Sequence, residues 1–129
     1  MKWKKIVIFL LIPFFAQAEQ DIERRLSSVT LFSFGFNGFV AKKMPQQIIY
    51  EDVLHDKSSV LIFENIMKGG HATPEARAYA ACGLWEKKEI NKIYLDDSLK
   101  ELQVTILKAD LLTKEKLGKL ILRIKLYGC

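Results

Sequence analysis

No Cys-x-x-Cys pair, no glycine-rich phosphate loop, no nucleophile elbow and no run of 18 apolar residues occurs in this 129-residue chain. Each absence removes a class of function. Without the first, thioredoxin-type redox catalysis has no dithiol; without the second, nucleotide phosphates have no cradle. The third takes away the strand–turn–helix context of a Ser-His-Asp hydrolase, and the fourth a membrane-spanning helix. Two cysteines and two scattered histidines lack the ligand spacing of a zinc site. Charge of one sign is scarce as well. The formal net charge is +5, and removing Lys2, Lys4 and Lys5 lowers it to +2, short of the basic footprint of a nucleic-acid binder. Apolar residues, by contrast, make up half the chain against 27% charged, a balance that favours a packed core over disorder.

The first 18 residues have the tripartite pattern of a secretory signal peptide. Met1 to Lys5 is positive, Ile6 to Phe15 is uncharged and apolar, and Ala16-Gln17-Ala18 supplies small residues for cleavage after Ala18. The ten-residue apolar run rises only about 15 Å as a helix, half of a bilayer core of about 30 Å. The expectation is a signal peptide over 1–18, a single domain over 19–129 and a periplasmic or secreted product. In an oxidising compartment Cys82 and Cys129, the only pair, are expected to bond. Closing that loop is worth roughly 4 kcal/mol in the chain-entropy account.

Helical signals dominate the remainder. Ile22, Leu26, Val29, Ser33, Phe36 and Val40 fall at helical spacings and favour a helix, although Phe32, Phe34 and Phe36 alternate and Asn37-Gly38 is a hairpin dipeptide. Pro45 opens a second segment with Ile48, Ile49, Asp52 and Val53 on one face. Ser58-Ser59 starts a third, with Val60, Phe63 and Met67, which Gly69-Gly70 stops. Thr73, Pro74 and Glu75 mark the clearest start, before a small-residue face of Ala76, Ala80 and Gly83 that includes Tyr79. Ser98 and Glu101 form a capping box before Leu99, Leu102, Ile106 and Ala109. Thr113 caps a last helix with Leu117, Leu120, Ile121, Ile124 and Tyr127 inward. The pattern predicts an all-α fold: five or six short amphipathic helices in an irregular bundle or a stacked, HEAT-like array of helix pairs, with one disulfide.

The stretch from Thr73 to Leu84, with its order of Pro74, Arg77, Tyr79 and Gly83-Leu84 and Cys82 beside the last pair, resembles a segment of small secreted bacterial proteins of unassigned function. The resemblance covers about a tenth of the chain. It implies export, a helix and a disulfide, and it implies no activity.

Candidate chemistry is thin. Asp52, His55 and Asp56 share a helical face, with His71 nearby in sequence, and are weak candidates for a metal site or an acid–base pair. Tyr79 and Trp85 are core aromatics or a stacking platform. From Lys114 onward, Lys114, Lys116, Lys119, Arg123 and Lys125 stand against Glu115 alone, which is either a solvated face or a contact surface for an anionic partner. The expected function is a small exported interaction protein, inhibitor or immunity-type, with no cofactor and no catalysis. Its partner would be another envelope or periplasmic protein, with Lys116, Lys119, Arg123, Tyr79 and Trp85 as candidate contact residues. The alternatives are an envelope protein holding anionic lipid or cell-wall polymer through the basic last helix, and a metal-dependent enzyme built on Asp52, His55 and Asp56.

Overall fold

The computed structural model describes residues 13–37 and 42–129. Its centre is a helix with no outer face. Glu75 to Leu84, ten residues in a row, are buried, where a surface helix would bury one stripe. This helix, Pro74–Glu86, is α4 in an order of α1 (Pro13–Ser27), β1 (Phe36–Asn37), β2 (Lys42–Lys43), α2 (Pro45–Leu54), α3 (Ser59–Lys68), α4, β3 (Gln103–Lys108), β4 (Leu111–Lys116) and α5 (Leu117–Tyr127). Two short 3₁₀ turns, Ile90–Lys92 and Asp97–Leu99, lie between α4 and β3. All the other described α-helices and β3 contact α4.

Alanines at 76, 78, 80 and 81 and Gly83 make this crowding possible, since large side chains on all sides would hold the neighbours off. The Phe63 ring of α3 lies where a Gly83 side chain would be. The polar residues of α4 each reach a different element. Thr73 receives the Ala76 amide as N-cap at 3.0 Å and donates its own hydroxyl to the Val29 carbonyl after α1. Glu75 accepts the Thr105 amide of β3 at 2.8 Å. Arg77 donates to the carbonyls of Ile66, Met67 and Gly69, the orphan acceptors at the C-terminal end of α3. Tyr79 donates its hydroxyl to the Ser33 carbonyl at 2.8 Å and accepts the Ser33 amide at 2.9 Å. Cys82 bonds Cys129, with Cα atoms 5.7 Å apart.

The all-α expectation is overturned. β3 and β4 form an antiparallel hairpin in place of the helix predicted after the Ser98–Glu101 capping box, with Lys108 opposite Leu111. Ala109 and Asp110 close it at φ +49° and +66°, the two left-handed positions of a two-residue turn. Asp96, and not Ser98, supplies the side-chain cap of the turn before β3, and Thr113 lies within β4 rather than capping a helix. The stacked array of helix pairs therefore does not form.

The Asp21–Lys43 segment is also corrected. α1 ends at Ser27, and the chain continues extended through Phe32, which bridges Ile106 in parallel. Its amide donates to the Thr105 carbonyl at 2.9 Å and its carbonyl accepts the Leu107 amide at 3.0 Å. Phe32, Phe34, Tyr50, Phe63 and Tyr79 form one aromatic cluster with centroid separations of 4.8 to 5.8 Å. The extended form wins because it brings Phe32 and Phe34 onto Tyr79 together with the Ser33 backbone. Gly38 and Val40 lie outside the described residues, as do residues 1–12 of the expected leader. α1 crosses Ala18, and its buried Leu26 and half-buried Ile22 lie beyond that point.

The Thr73 cap and the disulfide hold, as do the extent of α3 and its stop at Gly69, but Ser58 makes no side-chain cap bond to α3. On α2 the buried face is Gln47, Tyr50 and Val53, leaving Ile48 and Asp52 exposed. On α5 the inner residues Leu117, Leu120, Ile121 and Ile124 are buried, but Tyr127 is 78% exposed. The helix stops there because Gly128, at φ +78°, turns Cys129 back to Cys82.

Gly83→Ala is expected to cost about 1–3 kcal/mol by displacing the enclosed Phe63 ring, read as a lower denaturant midpoint at unchanged slope. Arg77→Met, which keeps bulk but strips three carbonyls of their donor, should cost about 3 kcal/mol, and Arg77→Lys less. Parent-like melting of Arg77→Met would contradict the placement. Burial raises the Tyr79 hydroxyl to about 12. Ionisation then occurs first in the unfolded chain, so its stabilising effect is complete below pH about 10 and is lost as pH rises through about 12. Alkaline unfolding in that window should be shallower in Tyr79→Phe.

Candidate functional site

Of the residues singled out in the sequence, Cys82 and Tyr79 are interior. Tyr79 is fully buried with its hydroxyl engaged, so it belongs to the core and offers no stacking surface. Trp85 is about one-third exposed, and its indole lies against Gly128, where an ideal Cβ would come within 2.6 Å of the ring. It covers the disulfide end of the molecule.

The Asp52, His55 and Asp56 trio is not assembled as a ligand set. His55 is the C-cap of α2, with Nδ1 2.7 Å from the Glu51 carbonyl, so this nitrogen carries the proton. Asp56 accepts the Ser58 amide at 2.8 Å, and Asp52 and His71 are exposed. Among the described residues no group of three His, Cys, Asp or Glu side chains is arranged to hold a metal ion.

The basic segment is split in two. Lys114 and Lys116 belong to β4, while Lys119, Arg123 and Lys125 belong to α5. Three ion pairs order this region. Lys116 meets Glu101 at 2.9 Å, Lys100 meets Asp97 at 2.6 Å, and Arg123 grips Glu115 with two bonds of 2.6 and 2.9 Å. These pairs hold the Asp97 carboxyl below its usual range and raise the Lys100 and Lys116 ammonium groups. Lys114, Lys119 and Lys125 have no carboxylate partner among the described residues.

Beside these free lysines, α5 departs from amphipathic logic. Its outward positions include Leu122 and Leu126, 59% and 64% exposed, where a solvated face would carry polar residues. Two shallow grooves meet at Lys100, Gly118 and Leu122. One, of about 380 Å³, runs under Tyr94, Leu95 and Lys125; the other, of about 680 Å³, reaches Lys114 and Lys119. Gly118 makes their junction. Its amide donates to the Lys100 carbonyl at 3.0 Å, and an added Cβ would stand 2.9 Å from that of Lys100.

The result is a continuous trough with an apolar floor and ammonium groups on its rim. Its chemistry suits association with an acidic, partly apolar surface. Sequence reasoning found Lys119 and Lys116 but missed Tyr94, Leu122 and Leu126. The signal was available, since Leu122 and Leu126 lie four apart and off the inner stripe of α5. Comparison with protein-family models, with curated proteins and with solved structures gives no match.

Two substitutions that the sequence alone would treat alike should separate. Arg123→Gln breaks the two-bond pair with the half-buried Glu115 and should lower stability by about 0.5–1 kcal/mol. Lys119→Gln, with no partner to lose, should stay within about 0.5 kcal/mol of the parent. Equal melting shifts for the two variants would contradict the pairing.

Proposed function

We propose that the chain is a small exported interaction protein that performs no chemistry and docks another envelope or periplasmic protein, in the manner of an inhibitor or immunity protein. The observation that carries this reading is the trough and the exposed Leu122 that lines it, with exposed Leu126 one turn further on the same helix as Lys119 and Lys125, which have no carboxylate partner among the described residues. Exposed leucines on a stable helix have a solvation cost that a bound partner relieves. The helix is held rigidly, by four buried side chains and by the disulfide after its last turn, so little ordering entropy is lost on binding.

Export is supported by the disulfide, a bond that persists in oxidising compartments. No helix among the described residues is long and apolar enough to cross a membrane. A signal peptide ending at Ala18 would leave the packed portion of α1, including Leu26, on the product.

A second reading has its own observation. Leu111 and Leu112 at the hairpin tip are 65% and 63% exposed beside Lys108 and Lys114, a combination that suits an anionic lipid surface.

Size-exclusion of envelope extract mixed with the disulfide-bonded protein tests the first reading. The parent should elute in a larger complex, and Leu122→Ser/Leu126→Ser, folded by circular dichroism, should elute alone. Co-sedimentation with anionic vesicles, lost in Leu111→Ser/Leu112→Ser and absent from the extract complex, would favour the second. Identical elution of parent and the α5 variant would count against docking through the trough.

A further inference from the structure

The two edges of the hairpin are treated differently. Antiparallel pairing turns the backbone of alternate residues outward, and on β3 those residues are Thr105 and Leu107. Both are used: the Thr105 amide goes to Glu75, and the Thr105 carbonyl and Leu107 amide go to Phe32. Their partners across the register are Lys114 and Leu112. On β4 these two therefore turn amide and carbonyl away from the hairpin, and no described residue bonds to them.

The surroundings of this open edge are selective. Lys114 and Glu115 point to opposite faces of the hairpin, and both line the larger groove. It is also lined by Lys119 and Leu122 of α5. Its carboxylates are engaged, Glu101 by Lys116 and Glu115 by Arg123, while Lys114 and Lys119 have no carboxylate partner among the described residues. Lysines on an edge strand repel accidental pairing with similar chains. A second copy laid along β4 would bring lysines against lysines, so charge disfavours self-pairing. The same charges welcome carboxylates.

Resting on the interaction-protein reading and going beyond it, we infer that the outer edge of β4 takes an extended acidic polypeptide segment as an added strand. The segment bonds to the backbone of Leu112 and Lys114, places carboxylates by Lys114 and Lys119, and sets apolar side chains on Leu112 and Leu122. Main-chain bonds supply affinity in this mode, and the alternate side chains supply choice of partner.

The test uses the disulfide-bonded protein and three capped eight-residue peptides: alternating Val and Glu, alternating Val and Lys, and the acidic peptide N-methylated at every residue, so that neither of its edges can donate. Fluorescence anisotropy should show binding of the first alone, weakening with added salt. Amide hydrogen exchange should show new protection at Leu112 and Lys114. Lys114→Glu/Lys119→Glu should weaken binding by about tenfold, the equivalent of about 1.4 kcal/mol. Lys114→Pro, which removes an outward amide and keeps the bonds to β3, should weaken it while circular dichroism stays parent-like.

Equal binding of the acidic and basic peptides, or binding without protection of those two amides, would overturn the inference. So would a concentration-dependent dimer that protects them, or binding to anionic vesicles with the edge amides still exchanging. If the acidic peptide fails while Leu122→Ser/Leu126→Ser still abolishes the extract complex, strand addition falls and the interaction reading stands. If both fail, both fall.

Discussion

A helix enclosed on every side has no solvent to satisfy its polar groups, and that constraint on α4 organises the rest of the molecule. Each polar side chain within it must find a partner in the interior, and each finds a different one. Thr73 fixes the chain leaving α1, Glu75 seals one edge of β3, Arg77 completes the end of α3, and Tyr79 holds the extended segment at Ser33. Residues two apart on a helix point to nearly opposite sides, since each step turns about 100°. The sequence of alternating small and polar residues is thus a radial arrangement of ties. Arg77 carries the largest desolvation penalty, and burial lowers the basicity of its guanidinium. Helix-end carbonyls, whose partial charges are negative, offset that cost in place of a carboxylate.

This arrangement commits the segment from Thr73 to Leu84 to packing and internal bonds. Its residues are engaged inward, and the disulfide adds the last tie by pinning the end of α5. The exposed leucines, and the lysines that have no carboxylate partner among the described residues, lie one layer out, on the solvent faces of α5 and β4.

The legible parts of the sequence were those where local and tertiary demands agree. Thr73-Pro74-Glu75 states a helix start by capping chemistry alone, and Leu117, Leu120, Ile121 and Ile124 repeat at helical spacing because α5 has one buried face. The hairpin was hidden for two physical reasons. Its turn uses Ala109 and Asp110 at positive φ without the usual glycine, so no dipeptide announces it. In addition, β4 is open to solvent on both faces, so Leu111, Leu112, Thr113 and Lys114 show no alternation. Leu99, Leu102 and Ile106 then mimicked a helix by accident of spacing. Phe32 to Phe36 was misread for a related reason, since its partners Tyr79 and Ile106 lie far away in sequence. At the trough the charged residues were visible, but which lysines are free depends on Asp97, Glu101 and Glu115 meeting the others across the fold.

Native-state hydrogen exchange across the whole chain tests the central role of α4 most directly, because it ranks local stability element by element. If the ties of α4 organise the fold, the amides from Tyr79 to Leu84 should exchange only through global unfolding, with the free energy found by denaturant titration. Those of β4 and of the last turn of α5 should open at lower cost. Amides of α4 that exchange more readily than those of the β3–β4 hairpin would contradict the account.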